Sequence, residues 1–155
     1  MESLSGSLEN VRGFTAVGKH IGIKKERPDF AVIFSDRVCS AAAVYTKNKV
    51  KGAPLYLTME HLRDGKAQAI VVNSGVANVC TGLRGMEDAK RTAEIAAKEL
   101  GIKKEDVLIA STGLIGAYLP MDKIEKGLSG IKNELSAESK VAEAILTTDT
   151  AKKEV

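Results

Sequence analysis

Three short stretches of this 155-residue chain gather the groups that could handle a developing negative charge: 73–82 (NSGVANVCTG), 111–116 (STGLIG) and 147–150 (TTDT). Each follows a run that reads as strand or helix. Hydroxyl and amide side chains beside glycines admit two readings. Asn and Gly tolerate positive φ, so a tight turn accounts for each stretch taken alone. A backbone that turns this tightly also aims successive N–H groups into one concavity, a receptacle for an oxyanion. The second stretch suits that chemistry best. A strand over 107–110 would make the approach rigid, and Gly113 would let a substrate carbonyl come close to the backbone. Thr112 adds a hydroxyl beside a backbone N–H. What the chain does not supply is a nucleophile paired with a base.

Other chemistries find less support. His20 and His61 stand 41 positions apart, neither near a cysteine or a paired carboxylate, so metal-ligand spacing is missing and no metal is expected. No G-x-S-x-G elbow anchors a Ser-His-Asp triad, and neither a Walker A pattern nor G-x-G-x-x-G occurs, so no nucleotide cofactor is expected. Cys39 and Cys80 are isolated, which suits a reducing, cytoplasmic setting. The net charge of +3 is spread among interspersed Lys and Glu, with no basic stripe or stacking aromatics, so nucleic acid is not expected as a partner. No apolar run reaches the ~18 residues of a membrane span.

The elements that must position these stretches follow from periodicity. Hydrophobic residues make up 44% of the chain but aromatics only 4%, so Ala, Val, Ile and Leu have to fill the core, as in layered α/β proteins. Residues 1–12 read as a loose lead-in and 13–155 as one α/β domain. Strands are predicted at 13–18, 30–34, 41–46, 68–72 and 107–110, with 35–38 joining the second and third as a hairpin or meander. Helices are predicted at 55–65, 86–100, 121–128 and 137–146. The clearest is 86–100, whose Ala89, Ala93, Ala96, Ala97 and Leu100 share one face and which Gly101 can stop. Asp122 and Glu138 sit near the starts of the last two helices, where negative charge is favoured. The order favours an α/β layered sandwich with a mixed sheet and flanking helices. The polar ending from 147 to 155 suggests a chain cut rather than finished.

The three stretches together are recognisable. Residues 73–82 resemble the NSGNANACTG signature of the ArgJ family, the glutamate N-acetyltransferase/ornithine acetyltransferases of arginine biosynthesis. Residues 111–116 resemble that family's STGxIG, and 147–150 its TTDT. Gly13-Phe14-Thr15-Ala16, Gly22-Ile23-Lys24-Lys25, Ser35-Asp36 and Ala53-Pro54 also fall in family order. The likeness runs from about residue 11 to the end.

The resemblance implies a precursor that cuts itself ahead of a threonine. The new N-terminal Thr of the β chain is then the nucleophile and its α-amine the local base. No counterpart of the cleavage segment is present, so the chain is expected to be the α chain, with no nucleophile of its own. By resemblance, Thr112 and Gly113 form the oxyanion hole and Thr147 binds substrate, with Thr148 as a possible shift of one place. The implied reaction moves acetyl from N-acetylornithine to glutamate through an acetyl-threonine, without a cofactor. Acetyl-CoA is a further donor in the bifunctional case. The implied partner is the β chain, in an (αβ)₂ heterotetramer. Two departures stand out: Val76 replaces the Asn of NSGNAN, and Ala151 stands where Pro often lies nearby. Two other classes remain open on the residues alone. One is an N-terminal-nucleophile aminopeptidase or amidohydrolase subunit, and the other is a non-catalytic binding module.

Overall fold

The computed structural model describes residues 8, 11–137 and 140–148. Four strands form one mixed sheet in the order β1 (Phe14–Lys19), β2 (Phe30–Ser40), β3 (Lys66–Val76) and β4 (Val107–Leu114). The first three are antiparallel in sequence order; β3 and β4 run parallel. The parallel pair needs a crossover, and α2 (Gly82–Leu100) provides it. The mixed sheet with helices agrees with the α/β expectation.

Strand alternation splits the sheet's side chains between two faces. Phe30 and Val32 of β2, Ala69 and Val71 of β3, and Val107 and Ile109 of β4 point into the core. There they meet Leu57 of α1 (Ala53–His61), the alanine face of α2, and Ile124 and Leu128 of α3 (Met121–Leu128). Ala89, Ala93, Ala96 and Ala97 are almost fully buried, and their small side chains let the 19-residue α2 lie close to the sheet. Gly101 ends α2 in the left-handed conformation, φ 75°, as the sequence suggests.

The opposite face is only partly covered. Ile70 is 37% exposed there, and a groove of about 280 Å³ runs over Phe14, Ile33, Ile70 and Leu108. The chain reaches this face around the β1 edge. Ala16 and Ser136 exchange both backbone hydrogen bonds, at 2.8 and 3.0 Å, and α4 (Val141–Ala144) then lies across the far side. Gly18 makes room for this, because the Lys140–Val141 backbone occupies the space a Cβ there would fill.

Several expectations need correction. The segment 41–46 is not a strand: it makes no ladder, and Val44 is fully exposed. Nor is 35–38 a hairpin. It is a bulge inside β2, which leaves register after Phe34 and regains it at Cys39. Each error has its own cause: β2 continues through polar residues that looked like a turn, and the alternation of 41–46 has no neighbouring strand to pair with. The helix expected over 137–146 shortens to Val141–Ala144 among the described residues. Strands β3 and β4 run four residues further than expected. Most of the 1–12 lead-in, Glu138, Asp149, Thr150 and Ala151 lie outside the described residues.

Candidate functional site

The added length of β3 and β4 places the first two stretches side by side. In the parallel ladder Asn73 pairs with Ser111, Ser74 with Thr112, Gly75 with Gly113 and Val76 with Leu114. Both motifs therefore finish at the same end of the sheet, the carboxyl ends of parallel strands, where α/β sheets open ligand crevices.

Side chains lock the pair. Asn73, 4% exposed, donates through Nδ2 to the Val76 carbonyl at 2.8 Å and accepts the Ser111 hydroxyl at Oδ1. Beyond the strands, Ala77 N–H donates to the Leu114 carbonyl and Gly116 N–H to that of Val79, both at 2.9 Å. The approach of the strand ends is so close that a Cβ on Gly113 would overlap the Gly75 backbone, and Gly113 adopts φ 129°, a region that excludes L side chains.

The loop after β3 is held from within. Asn78 is fully buried at φ 50°; its Nδ2 donates to the Gly85 carbonyl at 2.8 Å, and its Oδ1 accepts the Thr81 hydroxyl at 2.7 Å. A Cβ at position 85 would stand 2.5 Å from Asn78 Oδ1, so Gly85 is required by contact. Val76 is partly buried against the core, and its carbonyl serves Asn73. The side chain that departs from the NSGNAN pattern thus packs inward.

A second loop covers the strand ends. Asp29, fully buried, accepts the N–H of Ile21 at Oδ1 (2.7 Å) and of Lys24 at Oδ2 (2.8 Å). Its own carbonyl accepts Ser74 N–H at 2.8 Å, and His20 Nδ1 lies 3.2 Å from Oδ2. A Cβ on Gly75 would approach Ile23 Cγ2 at 2.8 Å, so this loop sits directly on the glycine. Lys24 is partly desolvated, which holds its ammonium below the ordinary lysine range; Asp29 opposes that shift and Arg27 adds to it.

The third stretch arrives from the far face. Ser74, fully buried, donates through Oγ to the Ala144 carbonyl, and Lys24 Nζ donates to the Leu146 carbonyl at 2.8 Å. Thr147 and Thr148 follow, both exposed. Ser74 is in register with Thr112, so the start of TTDT comes to the same strand ends as the other two stretches. The described start of the third stretch thus joins the other two at one end of the sheet.

Among the described residues the site holds hydrogen-bond donors and no nucleophile–base pair. Thr112 is half-buried, Gly113 is exposed, and the Thr112 hydroxyl has no hydrogen-bond partner among the described residues. The histidines are engaged elsewhere: His20 with Arg27 and Asp29, and His61 with the Val107 carbonyl at 2.7 Å. Among the described residues no group of three His, Cys, Asp or Glu is placed to hold a metal, and no helix is long and apolar enough to cross a membrane.

Sequence reasoning missed the roles of Asp29 and Gly85 and gave Lys24 no task. Asp29 did carry a signal, an acid set between Pro28 and the apolar run from Phe30, where a carboxylate has to enter the core with the strand.

Comparisons with known proteins agree on one family. The ArgJ family profile matches residues 15–155. The arginine biosynthesis bifunctional protein ArgJ of Caldanaerobacter subterraneus subsp. tengcongensis is 50% identical over 157 residues, covering all of this chain and 39% of that protein. The Staphylococcus aureus (strain COL) protein of the same name is 48% identical over 153 residues, 97% of this chain and 37% of its own length. This chain thus spans under two-fifths of the relatives it matches. The crystal structure of ArgJ from Bacillus halodurans superposes with a TM-score of 0.84 at 43% identity, covering 94% of this chain and 78% of that one. Mycobacterium tuberculosis ornithine acetyltransferase, solved with ornithine, gives 0.88 at 37% identity, covering 93% and 80%. With its first two motifs paired at one end of the sheet and this breadth of likeness, the chain belongs to the ArgJ family.

Proposed function

We propose that this chain, over residues 13–155, acts as the α subunit of an ornithine acetyltransferase in cytoplasmic arginine biosynthesis. The register that sets Thr112 and Gly113 beside Ser74 and Gly75, at the end of the sheet that Thr147 also reaches, carries this reading.

In the proposed mechanism the nucleophile is the N-terminal Thr of a β chain released from the same precursor. It attacks the acetyl carbonyl of N-acetylornithine, its own amine taking the proton; ornithine leaves, and glutamate then receives the acetyl group. The tetrahedral oxyanion needs two donors. Thr112 offers its hydroxyl, which no other described residue uses. Gly113 offers its N–H. Thr58 takes both backbone groups of Ile109 on the outer side of β4, while the Leu114 carbonyl turns inward to Ala77. Alternation along the strand therefore directs the Gly113 N–H outward, to an exposed edge. Thr147 contributes the substrate contact.

The partner has surfaces to occupy. The groove over Ile33, Ile70 and Leu108 and the exposed rim of Leu114 (64%), Ile115 (63%) and Tyr118 (51%) are apolar beyond what a lone subunit needs. A β chain seated there, in an (αβ)₂ assembly, gives them a role.

The test is Thr112→Ala in the full precursor, with processing first verified by N-terminal sequencing of both chains. The expected outcome is a fall in kcat of about 10²–10³ with intact subunits. A processed variant with unchanged kcat, or acetyl delivered to water rather than glutamate, refutes the assignment.

A further inference from the structure

We propose that Lys24 is a positioning residue that fixes Thr147 for substrate, acting through the Leu146 carbonyl. The inference rests on the reading of Thr147 given above.

The need for such a device comes from the segment itself. Helix α4 has four residues, and the backbone bonds that follow it are local: Ile145 N–H to Val141 and Leu146 N–H to Glu143. A single turn does not hold the residues beyond it, because so short a helix is marginal without tertiary contacts. Thr147 is exposed and lies just past that turn. Two side chains reach in from elsewhere in the fold. The Ser74 hydroxyl takes the Ala144 carbonyl, and Lys24 Nζ takes the Leu146 carbonyl from 122 positions away. One tether would leave the chain free to pivot. Two, on carbonyls two residues apart, set its direction as it enters the site.

Lys24 is itself well fixed. Its N–H is bound to the buried Asp29 carboxylate, whose carbonyl holds Ser74, so both tethers spring from one hydrogen-bonded unit. The lysine stem passes over Gly75, its Cγ 3.2 Å from where a Cβ would be. No carboxylate lies within 4.0 Å of Nζ among the described residues. The ammonium thus directs a charge-assisted hydrogen bond at a carbonyl, a stronger bond than a neutral donor would make.

A double-mutant cycle on the processed full-length enzyme tests this, using Lys24→Met, Thr147→Ala and the pair, with Lys24→Arg as the conservative variant. Lys24→Met is expected to raise KM for N-acetylornithine about tenfold with kcat changed far less, Lys24→Arg to recover most of that, and the pair to be no worse than Thr147→Ala alone. Additive effects with Thr147→Ala active by itself would overturn the positioning role and leave the substrate reading intact. A silent Thr147→Ala would refute both, whatever Lys24 does. Should Lys24→Met fail to process, Lys24→Gln, too short to reach Leu146, takes its place in the cycle.

Discussion

Two connections in this molecule each lead from a strand into a helix and differ in how they are held. The short loop 77–81 joins β3 to α2, and the longer segment 41–52 joins β2 to α1. In the first, Ala77, Asn78 and Thr81 are buried, and the Asn78 side chain bridges Thr81 and Gly85. In the second, Thr46, Asn48 and Lys51 bond only to near neighbours, Asn48 N–H to Thr46 Oγ1 at 3.2 Å and Val50 N–H to Asn48 Oδ1 at 3.0 Å, and the apolar Val44 and Val50 face solvent. The polar loop is the built one. Side-chain amides that satisfy buried backbone define a loop more firmly than apolar residues with nothing to pack against.

The contrast can be broken at Asn78. Asn78→Ala removes both buried hydrogen bonds and leaves a Cβ residue at φ 50°, so a loss of about 2–4 kcal/mol is expected in denaturant unfolding. A loss below about 0.5 kcal/mol would place the two connections on one footing.

Asp88, on the helix that grows from the built loop, refines the contrast. Its Oδ2 is buried without a hydrogen bond, and Arg84 Nε approaches only to 3.9 Å. Burial raises the carboxyl above its ordinary value; Arg84 opposes the shift and Glu87 adds to it. A carboxyl raised in the folded state binds more protons there than in the unfolded chain. Its contribution to stability is therefore present at low pH and is lost as pH rises through the folded value. Asp88→Asn should raise Tm at pH 7 and leave it unchanged well below the ordinary carboxylate range. A Tm that falls at pH 7 would mean Arg84 outweighs burial.

The smallest effect belongs to the loose connection. Val44→Ser should change the stability of this chain by less than about 0.5 kcal/mol, since the side chain is fully exposed. A larger loss would give Val44 a packing partner that its full exposure does not show.

The same contrast explains what could be read from sequence. Helix α3 was legible to the residue, and α2 along its alanine face, because one amphipathic face meets one core. The proximity of 73–82 and 111–116 was legible only through family likeness. A parallel register depends on a crossover and on the Gly75–Gly113 approach, which no local pattern encodes. The strand predicted at 41–46 had correct alternation and no partner. Asp29 showed only as an acid at the head of an apolar run; its role stayed hidden because its partners, the N–H groups of Ile21 and Lys24 and that of Ser74, lie in two separate parts of the chain.

The sheet's borders carry a consequence for assembly. Ser136 occupies the outer side of β1 at Ala16, and Thr58 and His61 occupy that of β4 at Ile109 and Val107. Strand addition is thereby obstructed at those positions on both sides, and what stays open between them is the apolar groove over Ile33, Ile70 and Leu108. A subunit joining there would do so by interdigitating side chains, not by extending the ladder. Calorimetry of such a union should therefore register a large negative heat-capacity change, the mark of apolar surface leaving water.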